Sequence, residues 1–199
     1  MNPLFISLEG VDGSGKSTQA RLLVEALGEG TVAIREPGGT DAAERIRELL
    51  ADPSVELEPL AELMLFLAAR ADLTERVIRP ALEAGRHVVA DRFSDSSVAY
   101  QGAARGLGVG EVIGLCEIAT DGLWPDLTLL LRLDPATGLD RADGEDRLEQ
   151  EGLSLQQAVA AAYDEIAQIA SDRVAVIDAT GSVGEVHERV MSAAGELLR

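Results

Sequence analysis

A glycine-rich segment near the amino terminus constrains the fold of this 199-residue chain more than any other feature. Residues 10–17 read GVDGSGKS and match the spacing G-x-x-x-x-G-K-[ST] without a gap. An apolar run at residues 4–9 precedes the segment, and a helical pattern near residues 16–28 follows it. In that context the glycines let several backbone N–H groups point inward, and the helix adds its positive end. The sequence therefore predicts a phosphate-binding loop between a strand and a helix.

Two side chains at the end of this loop predict how it binds a nucleotide. Lys16, the only lysine in the chain, bridges the terminal phosphates, and Ser17 offers its hydroxyl to Mg²⁺. A compact ammonium suits that position, whereas arginine is used everywhere else. The predicted ATP-binding residues are Gly10, Val11, Asp12, Gly13, Ser14, Gly15, Lys16, Ser17 and Thr18.

Short β-rich runs alternate with longer helical patterns along the chain, which is typical of a parallel sheet with crossover helices. The predicted strands are residues 4–9, 31–35, 87–91, 127–133 and 174–178. The helical patterns lie near residues 16–28, 41–51, 58–85, 109–121, 153–171 and 183–198. We therefore predict an α/β three-layer sandwich of the P-loop NTP hydrolase type, in which a five-stranded parallel sheet carries helices on both faces.

The chain shows no break in composition that would mark a linker, so a single domain over residues 1–199 is expected. Residues 140–152, approximately, are charged, contain two glycines and lack apolar periodicity apart from Leu148. Such a segment predicts a short mobile lid.

The charge balance excludes several classes of protein. Seventeen basic residues stand against 35 acidic ones, a formal net charge of −18, whereas nucleic-acid and membrane-surface binding require a basic footprint. We expect neither a nucleic-acid nor a membrane partner. Cys116 is the only cysteine, and residues 1–4 do not resemble a signal peptide. A cytoplasmic location is expected.

The acceptor of the phosphate has to be identified from other residues. A guanine-binding Asn-Lys-x-Asp signature is impossible, because Lys16 is the only lysine and Asn2 the only asparagine. Arg35 and Arg92 instead lie at the ends of predicted strands, where open α/β sheets bind ligands.

In its phosphate loop, its strand-end arginines and several further motifs, the chain resembles the bacterial thymidylate kinases. The resemblance spans nearly the whole chain and rests on ordered motifs at residues 9–18, 35–40, 65–70, 91–93, 96–102, 122–128 and 146–149. It implies transfer of the γ-phosphoryl group of magnesium ATP to thymidine monophosphate, giving dTDP and ADP, by an enzyme that is usually a homodimer.

Base recognition in this family implies roles for Phe66 and Arg70. The two residues are four apart on a predicted helix and share a face, so a flat ring and a guanidinium can stack a base and donate to its edge. A donor aimed at thymine O4 would oppose the amino group of cytosine. Taken alone, Phe66 would be interpreted as core packing beside Leu63 and Leu67.

Family resemblance also implies that Ser97 and Gln101 contact the base and the sugar-phosphate, while Tyr100 lies near the deoxyribose C2′. Without the resemblance, Ser97 and Gln101 would be ordinary polar residues of a helix surface. Arg35, Arg47 and Arg92 surround the acceptor phosphate by the same comparison, although Arg47 alone fits a solvated face of an amphipathic helix.

Carboxylates complete the implied site. By the same resemblance Asp12 reaches the sugar 3′-hydroxyl, and Asp91, at the end of a predicted strand, is expected to order the waters of Mg²⁺. Glu9 shares the work of Asp91. Whether the Glu36–Pro37 peptide is cis cannot be read from the sequence.

The catalytic cations implied by the family are Lys16, Arg92 and an arginine of the lid, either Arg141 or Arg147. The lid is shorter and more acidic than the arginine-rich lids common in the family, so a solvated loop with one structural arginine is the alternative. Two other functions stay open: another nucleoside monophosphate or deoxynucleoside kinase, and a P-loop switch or partitioning ATPase.

Overall fold

A central parallel sheet organises the structure, a computed structural model that describes residues 2–141 and 152–197 apart from the side chain of Glu196. Within those residues the sheet has five strands in the order β2-β3-β1-β4-β5. The strands are β1 (Phe5–Glu9), β2 (Val32–Arg35), β3 (Val88–Asp91), β4 (Leu127–Arg132) and β5 (Val174–Asp178). All neighbouring pairs are parallel, with Ile6 opposite Val89 on one side and Leu127 on the other. The five predicted strands are confirmed, each to within one residue at its ends.

Helices connect the strands. They are α1 (Lys16–Leu27), α2 (Asp41–Ala51), α3 (Pro59–Leu73), α4 (Arg79–Glu83), α5 (Ser94–Ser97), α6 (Val109–Thr120), α7 (Pro135–Leu139), α8 (Gly152–Ile169) and α9 (Val183–Leu197). Two π-helical stretches, Thr74–Ile78 and Val98–Ala104, continue α3 into α4 and extend α5. None of the helices in the described part of the chain is long and apolar enough to cross a membrane.

Strand β1 shows why helices cover both faces of the sheet. Successive side chains of a strand point to opposite faces. Ile6 and Leu8 join the core cluster that holds Leu23 of α1, whereas Phe5 joins the cluster that holds Leu73 of α3. All five residues of β1 are buried, as expected for a strand in the middle of a covered parallel sheet. The predicted three-layer α/β fold is therefore confirmed.

Two helical segments escaped the sequence prediction. The stretch from Ser94 to Ala104 starts with one α-helical turn and continues as a π-helix, so its buried residues do not repeat at the 3.6-residue period. Helix α7 has only five residues, which is too short for a periodic signal. Asp134 caps α7 by accepting a hydrogen bond from the backbone N–H of Thr137.

Because the sheet is parallel, the carboxyl ends of its strands share one edge. The segments that follow β1, β2, β3 and β4 leave the sheet at this edge, and they carry the phosphate loop, Arg35, Arg92 and α7. Open α/β sheets bind their ligands at this edge. The fold therefore brings together segments that are up to about 130 residues apart in the chain.

Candidate active site

The loop after β1 is built to point its last residues toward the sheet edge. Gly15 adopts a left-handed backbone conformation with φ 93° and precedes α1, which begins at Lys16. The first N–H groups of a helix have no earlier carbonyl of the same helix to bind. They and the positive end of α1 therefore face the space above the sheet, which suits a phosphate group.

A glycine contact holds α7 against this loop. A Cβ atom on Gly13 would collide with the carbonyl oxygen of Gly138, and a Cβ atom on Gly138 would collide with the carbonyl oxygen of Asp12. Only glycine at both positions permits this approach. The contact places the end of α7, and Arg141 just beyond it, beside the loop.

A single cavity of about 570 Å³ joins the loop to the other predicted site residues. Its lining includes Asp12, Gly13, Gly15, Lys16, Ser17, Thr18, Arg35, Arg47, Phe66, Arg70, Asp91, Arg92, Ser97, Tyr100, Gln101 and Arg141. The structure thus brings together the phosphate-loop group and the group implied to bind the acceptor. Arg147 lies outside the described residues.

Lys16 is held inside the cavity wall rather than extended into solvent. Its side chain is 6% exposed, and Nζ donates to the carbonyl oxygen of Val11 at 2.8 Å and to Ser14 Oγ at 3.4 Å. Burial lowers the pKa of Lys16 to about 8, and the nearby Arg92 guanidinium contributes to the shift. The ammonium is still mostly protonated at neutral pH and presents a fixed positive charge.

Arg92 and Asp12 form an ion pair in the cavity lining. Arg92 Nη2 donates to Asp12 Oδ1, and Nη1 donates to the carbonyl oxygen of Gly10 at 3.3 Å and to Ser96 Oγ at 3.1 Å. The guanidinium lies 5.2 Å from the centre of the Tyr100 ring. Burial of Asp12 would raise its pKa, but the charges of Arg92 and Lys16 outweigh burial and lower it. Asp12 is therefore an ionised acceptor that links the phosphate loop to the segment after β3.

Gln156, on the first turns of α8, binds Asp12 at two points. Its Nε2 donates to Asp12 Oδ2 at 2.6 Å, and its Oε1 accepts from the backbone N–H of Asp12 at 3.2 Å. The Gln156 side chain is buried. The helix that follows the predicted lid is thus attached directly to the phosphate loop.

Arg70 is a buried cation with several hydrogen-bond partners. Nε donates to Glu36 Oε2 at 2.7 Å, Nη1 to Ser97 Oγ at 3.0 Å and Nη2 to the carbonyl oxygen of Phe93 at 3.2 Å. Burial alone would lower the pKa of Arg70, but the Glu36 carboxylate outweighs that effect and raises it. Arg70 therefore keeps its charge in a fixed orientation at the cavity wall.

Phe66 lies one turn before Arg70 and is half-buried, with its side chain at the cavity surface. Leu63 and Leu67, its neighbours on α3, belong to a core cluster with Val98 and Cys116, whereas Phe66 does not. Core packing therefore accounts for those leucines and leaves Phe66 as an apolar surface open to a ligand.

Arg35 and Arg47 reach the cavity from β2 and α2. Arg35 Nη2 donates to Glu44 Oε2 at 3.1 Å, and Arg47 Nη1 donates to the carbonyl oxygen of Pro37 at 3.2 Å. The Glu36–Pro37 peptide bond is cis. Both arginines thus belong to the cavity wall, and Arg47 does not lie on a solvated helix face.

The oxygen donors predicted for Mg²⁺ divide into two groups. Ser17 and Asp91 both line the cavity. Mg²⁺ prefers oxygen ligands, and a hydroxyl and one carboxylate together with nucleotide phosphates are a suitable set. Glu9 does not belong to this set. It is fully buried, its Oε1 accepts from the backbone N–H of Phe93 at 2.7 Å, and its Oε2 accepts from the hydroxyls of Ser96 at 2.6 Å and Tyr163 at 2.7 Å. These bonds give both oxygens structural partners, and Glu9 is not among the lining residues of the cavity, so its role at Mg²⁺ stays a prediction.

Burial also raises the pKa of the Glu9 carboxyl to about 7, with a further contribution from the Asp95 carboxylate. The folded protein therefore holds a proton that the unfolded chain, with its ordinary pKa of 4.5, releases. It follows that Glu9 lowers the stability progressively as the pH rises from about 4.5 to about 7, after which the effect is constant.

Replacing Glu9 with glutamine is expected to remove this pH dependence, because an amide can accept from Phe93 and donate to the Ser96 and Tyr163 hydroxyls. Relative to the unsubstituted protein, the free energy of unfolding of Glu9→Gln should increase by about 3 kcal/mol across that pH interval. Urea unfolding at a series of pH values measures the change. The exposed Glu29→Gln, which alters the net charge equally, is the control, and parallel stability curves for Glu9→Gln and the unsubstituted protein would contradict the assignment.

Several contributors to the site carry no signal that sequence reasoning could use. Gln156 and Tyr163 lie on the apolar-patterned helix α8, Gly138 lies in the short helix α7, and Glu36 sits within a motif noted only for its arginine and its turn. Their roles depend on partners far away in the chain. Only the three-dimensional arrangement identifies them.

Comparison with known proteins agrees with this geometry. Residues 8–190 match the family model described as thymidylate kinase. A thymidylate kinase of Deinococcus radiodurans is 45% identical over 199 residues, covering 97% of each chain. One of Symbiobacterium thermophilum is 46% identical and covers 98% of this chain and 94% of its own length.

Solved structures give the same result. The crystal structure of a thymidylate kinase from Ehrlichia chaffeensis superposes with a TM-score of 0.83 at 32% identity, covering 98% of this chain and 99% of the other. The match of the family model over nearly the whole chain, and the identity of the relatives, leave no ambiguity about ancestry. The chain belongs to the thymidylate kinase family.

Proposed function

We propose that this enzyme transfers the γ-phosphoryl group of ATP to the phosphate of dTMP, giving dTDP and ADP on the route to dTTP. One observation carries the proposal: a single cavity joins the phosphate loop to a second set of arginines with an aromatic surface, Phe66, beside them. The loop suits the donor nucleotide, and the second set suits an acceptor with both a base and a phosphate.

The acceptor needs no general base. Its phosphate has a second pKa near about 6, so at neutral pH it is mostly a dianion and already a nucleophile. The remaining difficulty is to bring this dianion to the γ-phosphorus and to stabilise charge on the transferred group. Positioning and preorganised positive charge accomplish this. Arg92 and Lys16, both fixed by hydrogen bonds in the cavity wall, are the central cations.

The transfer itself makes one bond and breaks one. An oxygen of the dTMP phosphate attacks the γ-phosphorus, and the bond from that phosphorus to the β,γ-bridging oxygen breaks, so that ADP leaves with the electron pair. Arg35 and Arg47 contribute the remaining positive charge around the acceptor phosphate. Ser17 and Asp91 would hold Mg²⁺ at the cavity wall, and the ion would neutralise charge on the ATP phosphates.

Two rival functions explain fewer of these residues. A P-loop switch ATPase has no use for Phe66, Arg70 and Ser97 at the wall of the same cavity. A kinase for another nucleotide would need a different pair from Phe66 and Arg70 to face the base. Discrimination among acceptors therefore separates the three functions.

An acceptor panel tests the proposal. The protein is incubated with magnesium ATP and one of dTMP, dUMP, dCMP, dAMP or thymidine, and the products are resolved by chromatography. We expect dTDP to form well ahead of any other product. Transfer to no nucleotide acceptor would support the switch class, and preference for dCMP, dAMP or a nucleoside would support the other kinases.

A cation from the lid is a further part of the proposal. Arg141 is exposed, follows α7 and lines the cavity beside the phosphate loop, which supports it over Arg147 as the residue that contacts the transferred group. We expect Arg141→Ala to lower the single-turnover transfer rate by about 10²-fold. We expect Arg147→Ala to change it less than about threefold. The reverse order would assign the role to Arg147, and two unchanged rates would remove the lid cation altogether.

We also propose that the chain is a single domain that forms a homodimer in the cytoplasm. Leu60 and Met64 on α3 and Ile118 on α6 are exposed large apolar side chains on neighbouring helices, which supports an interface there. Sedimentation should give about 42 kDa, twice the mass of the 21.0 kDa chain. A mass of one chain at micromolar concentration would contradict the dimer.

A further inference from the structure

A buried carboxylate lies behind the part of the cavity wall that Gln101 forms. Glu62, on α3 one turn before Phe66, is 1% exposed. Its Oε1 accepts a hydrogen bond from Gln101 Nε2 at 2.9 Å. Arg105 pairs with the same carboxylate, with Nε 2.7 Å from Oε1 and Nη2 3.1 Å from Oε2. The charge of Glu62 is thus balanced, and its oxygen is held beside the amide.

This contact determines which way the Gln101 amide points. An amide has a donor end and an acceptor end, whereas an ionised carboxylate only accepts. The nitrogen must therefore face Glu62, because the reverse orientation would bring two acceptor oxygens together in a buried position. The carbonyl Oε1 of Gln101 is then directed away from Glu62. Gln101 itself is buried and lines the cavity.

We propose that Glu62 is a positioning residue for base specificity, which orients Gln101 so that its carbonyl oxygen faces the base of the acceptor nucleotide. This inference rests on the proposed function in one respect, that the base lies between Phe66 and Gln101. Glu62 does not touch the nucleotide. It acts through the orientation of the amide.

The chemistry of the bases explains what this orientation achieves. Thymine carries a hydrogen on N3 and can donate it to Gln101 Oε1, whereas cytosine presents a lone pair at N3. In the fixed orientation, cytosine would place an acceptor against an acceptor, which costs the full penalty of an unsatisfied buried group. The enzyme thus discriminates at N3 in addition to any discrimination by Arg70 at O4.

Steady-state kinetics with dTMP and 5-methyl-dCMP test the inference, because these nucleotides share the methyl group and differ only at C4 and N3. In Glu62→Gln the new side chain can both donate and accept, so the Gln101 amide can take either orientation. We expect the ratio of kcat/KM for dTMP to that for 5-methyl-dCMP to fall about tenfold or more. A purely structural role would lower kcat/KM for both nucleotides equally, so an unchanged ratio would overturn the proposal.

Two further variants separate orientation from stability. Arg105→Lys keeps a cation beside the Glu62 carboxylate and changes only the geometry of the pair, so it should retain the ratio even where its melting temperature falls. The double variant Glu62→Leu, Arg105→Met removes both charges, which preserves folding better than leaving one buried charge unpaired. Its ratio of kcat/KM for dTMP to that for 5-methyl-dCMP should fall as it does in Glu62→Gln.

The outcomes distinguish this inference from the proposed function. Failure of the unsubstituted enzyme to phosphorylate dTMP would overturn the proposed function and this inference with it. An unsubstituted enzyme that prefers dTMP, with the same preference in both the Glu62→Gln and the double variant, would overturn this inference alone.

Discussion

Replacing Lys16 with methionine is expected to lower the single-turnover rate of phosphoryl transfer by about 10³-fold. Methionine keeps most of the shape of the side chain and removes the only positive charge of the loop residues 10–17, where Nζ donates to the Val11 carbonyl and Ser14 Oγ. At an effective dielectric constant near 20, one unit-charge contact at about 4 Å is worth about 4 kcal/mol, which corresponds to about three decades in rate. Rapid-quench measurement of ADP and dTDP formation gives the rate.

A surface cation of the same helix provides the matched control. Arg21 lies on α1, its side chain is 61% exposed, and it pairs with Glu25. Arg21→Met should leave the rate unchanged. Lys16→Arg restores the charge but places a planar guanidinium where a compact ammonium fits, so it should recover less than about a tenth of the activity. A Lys16→Met rate within tenfold of the unsubstituted enzyme would show that the loop amides suffice without the ammonium.

Replacing Arg92 with methionine is expected to have the second largest effect, a loss of about 10² to 10³ in kcat/KM for dTMP. The substitution removes a cation of the cavity wall that we propose faces the acceptor phosphate. It also leaves Asp12 without the guanidinium that lowers its pKa, so the pKa of Asp12 should rise. The backbone of Arg92 has φ 72°, and methionine keeps whatever strain that conformation carries. Kinetics with dTMP as the varied substrate measure the loss.

Arg132 is the matched control for Arg92, since it also lies at the carboxyl end of a strand. Its side chain is 55% exposed and pairs with Asp164, outside the cavity lining. Arg132→Met should keep kcat/KM within about twofold. Equal losses in the two variants would mean that any strand-end arginine contributes through the general field, contrary to the local role assigned to Arg92.

The phosphate loop was the part of the site most open to prediction, because its chemistry lies in consecutive residues. Glycine, Lys16 and Ser17 at fixed spacing specify a local backbone shape and a set of donors before any tertiary contact is known. The strands were equally accessible, since a covered parallel sheet requires continuous apolar runs. The roles of Phe66 and Arg70 needed the family resemblance, because a phenylalanine among leucines on a helix ordinarily indicates core packing.

The supporting contacts were not accessible in this way. Asp12 and Gln156 are 144 residues apart in the chain, and Glu9 and Tyr163 are 154 apart. Neither pair has a local pattern, and each forms only because α8 folds back over the sheet edge. Glu9 illustrates the consequence: its position beside the loop favours a role at the metal, whereas burial and three hydrogen bonds give it a structural one.

The net charge of −18 restricts which anions the protein can bind, but it does not exclude phosphate binding by a few cations at the site. That charge opposes the binding of long polyanions through a diffuse field. It does not prevent phosphate binding where Lys16, Arg70 and Arg92 are buried or half-buried and fixed by hydrogen bonds. Local geometry outweighs the distant acidic surface because salt screens exposed charges beyond about 10 Å.

We propose that donor and acceptor meet in one cavity and that the phosphoryl group passes directly between them. The most direct test of this transfer is its stereochemical course. The donor is ATP whose γ-phosphorus is made chiral with oxygen isotopes and sulfur, and the acceptor is dTMP. A single in-line displacement predicts inversion of configuration at phosphorus in the dTDP formed. Retention of configuration would require a phosphorylated enzyme intermediate and would contradict the account.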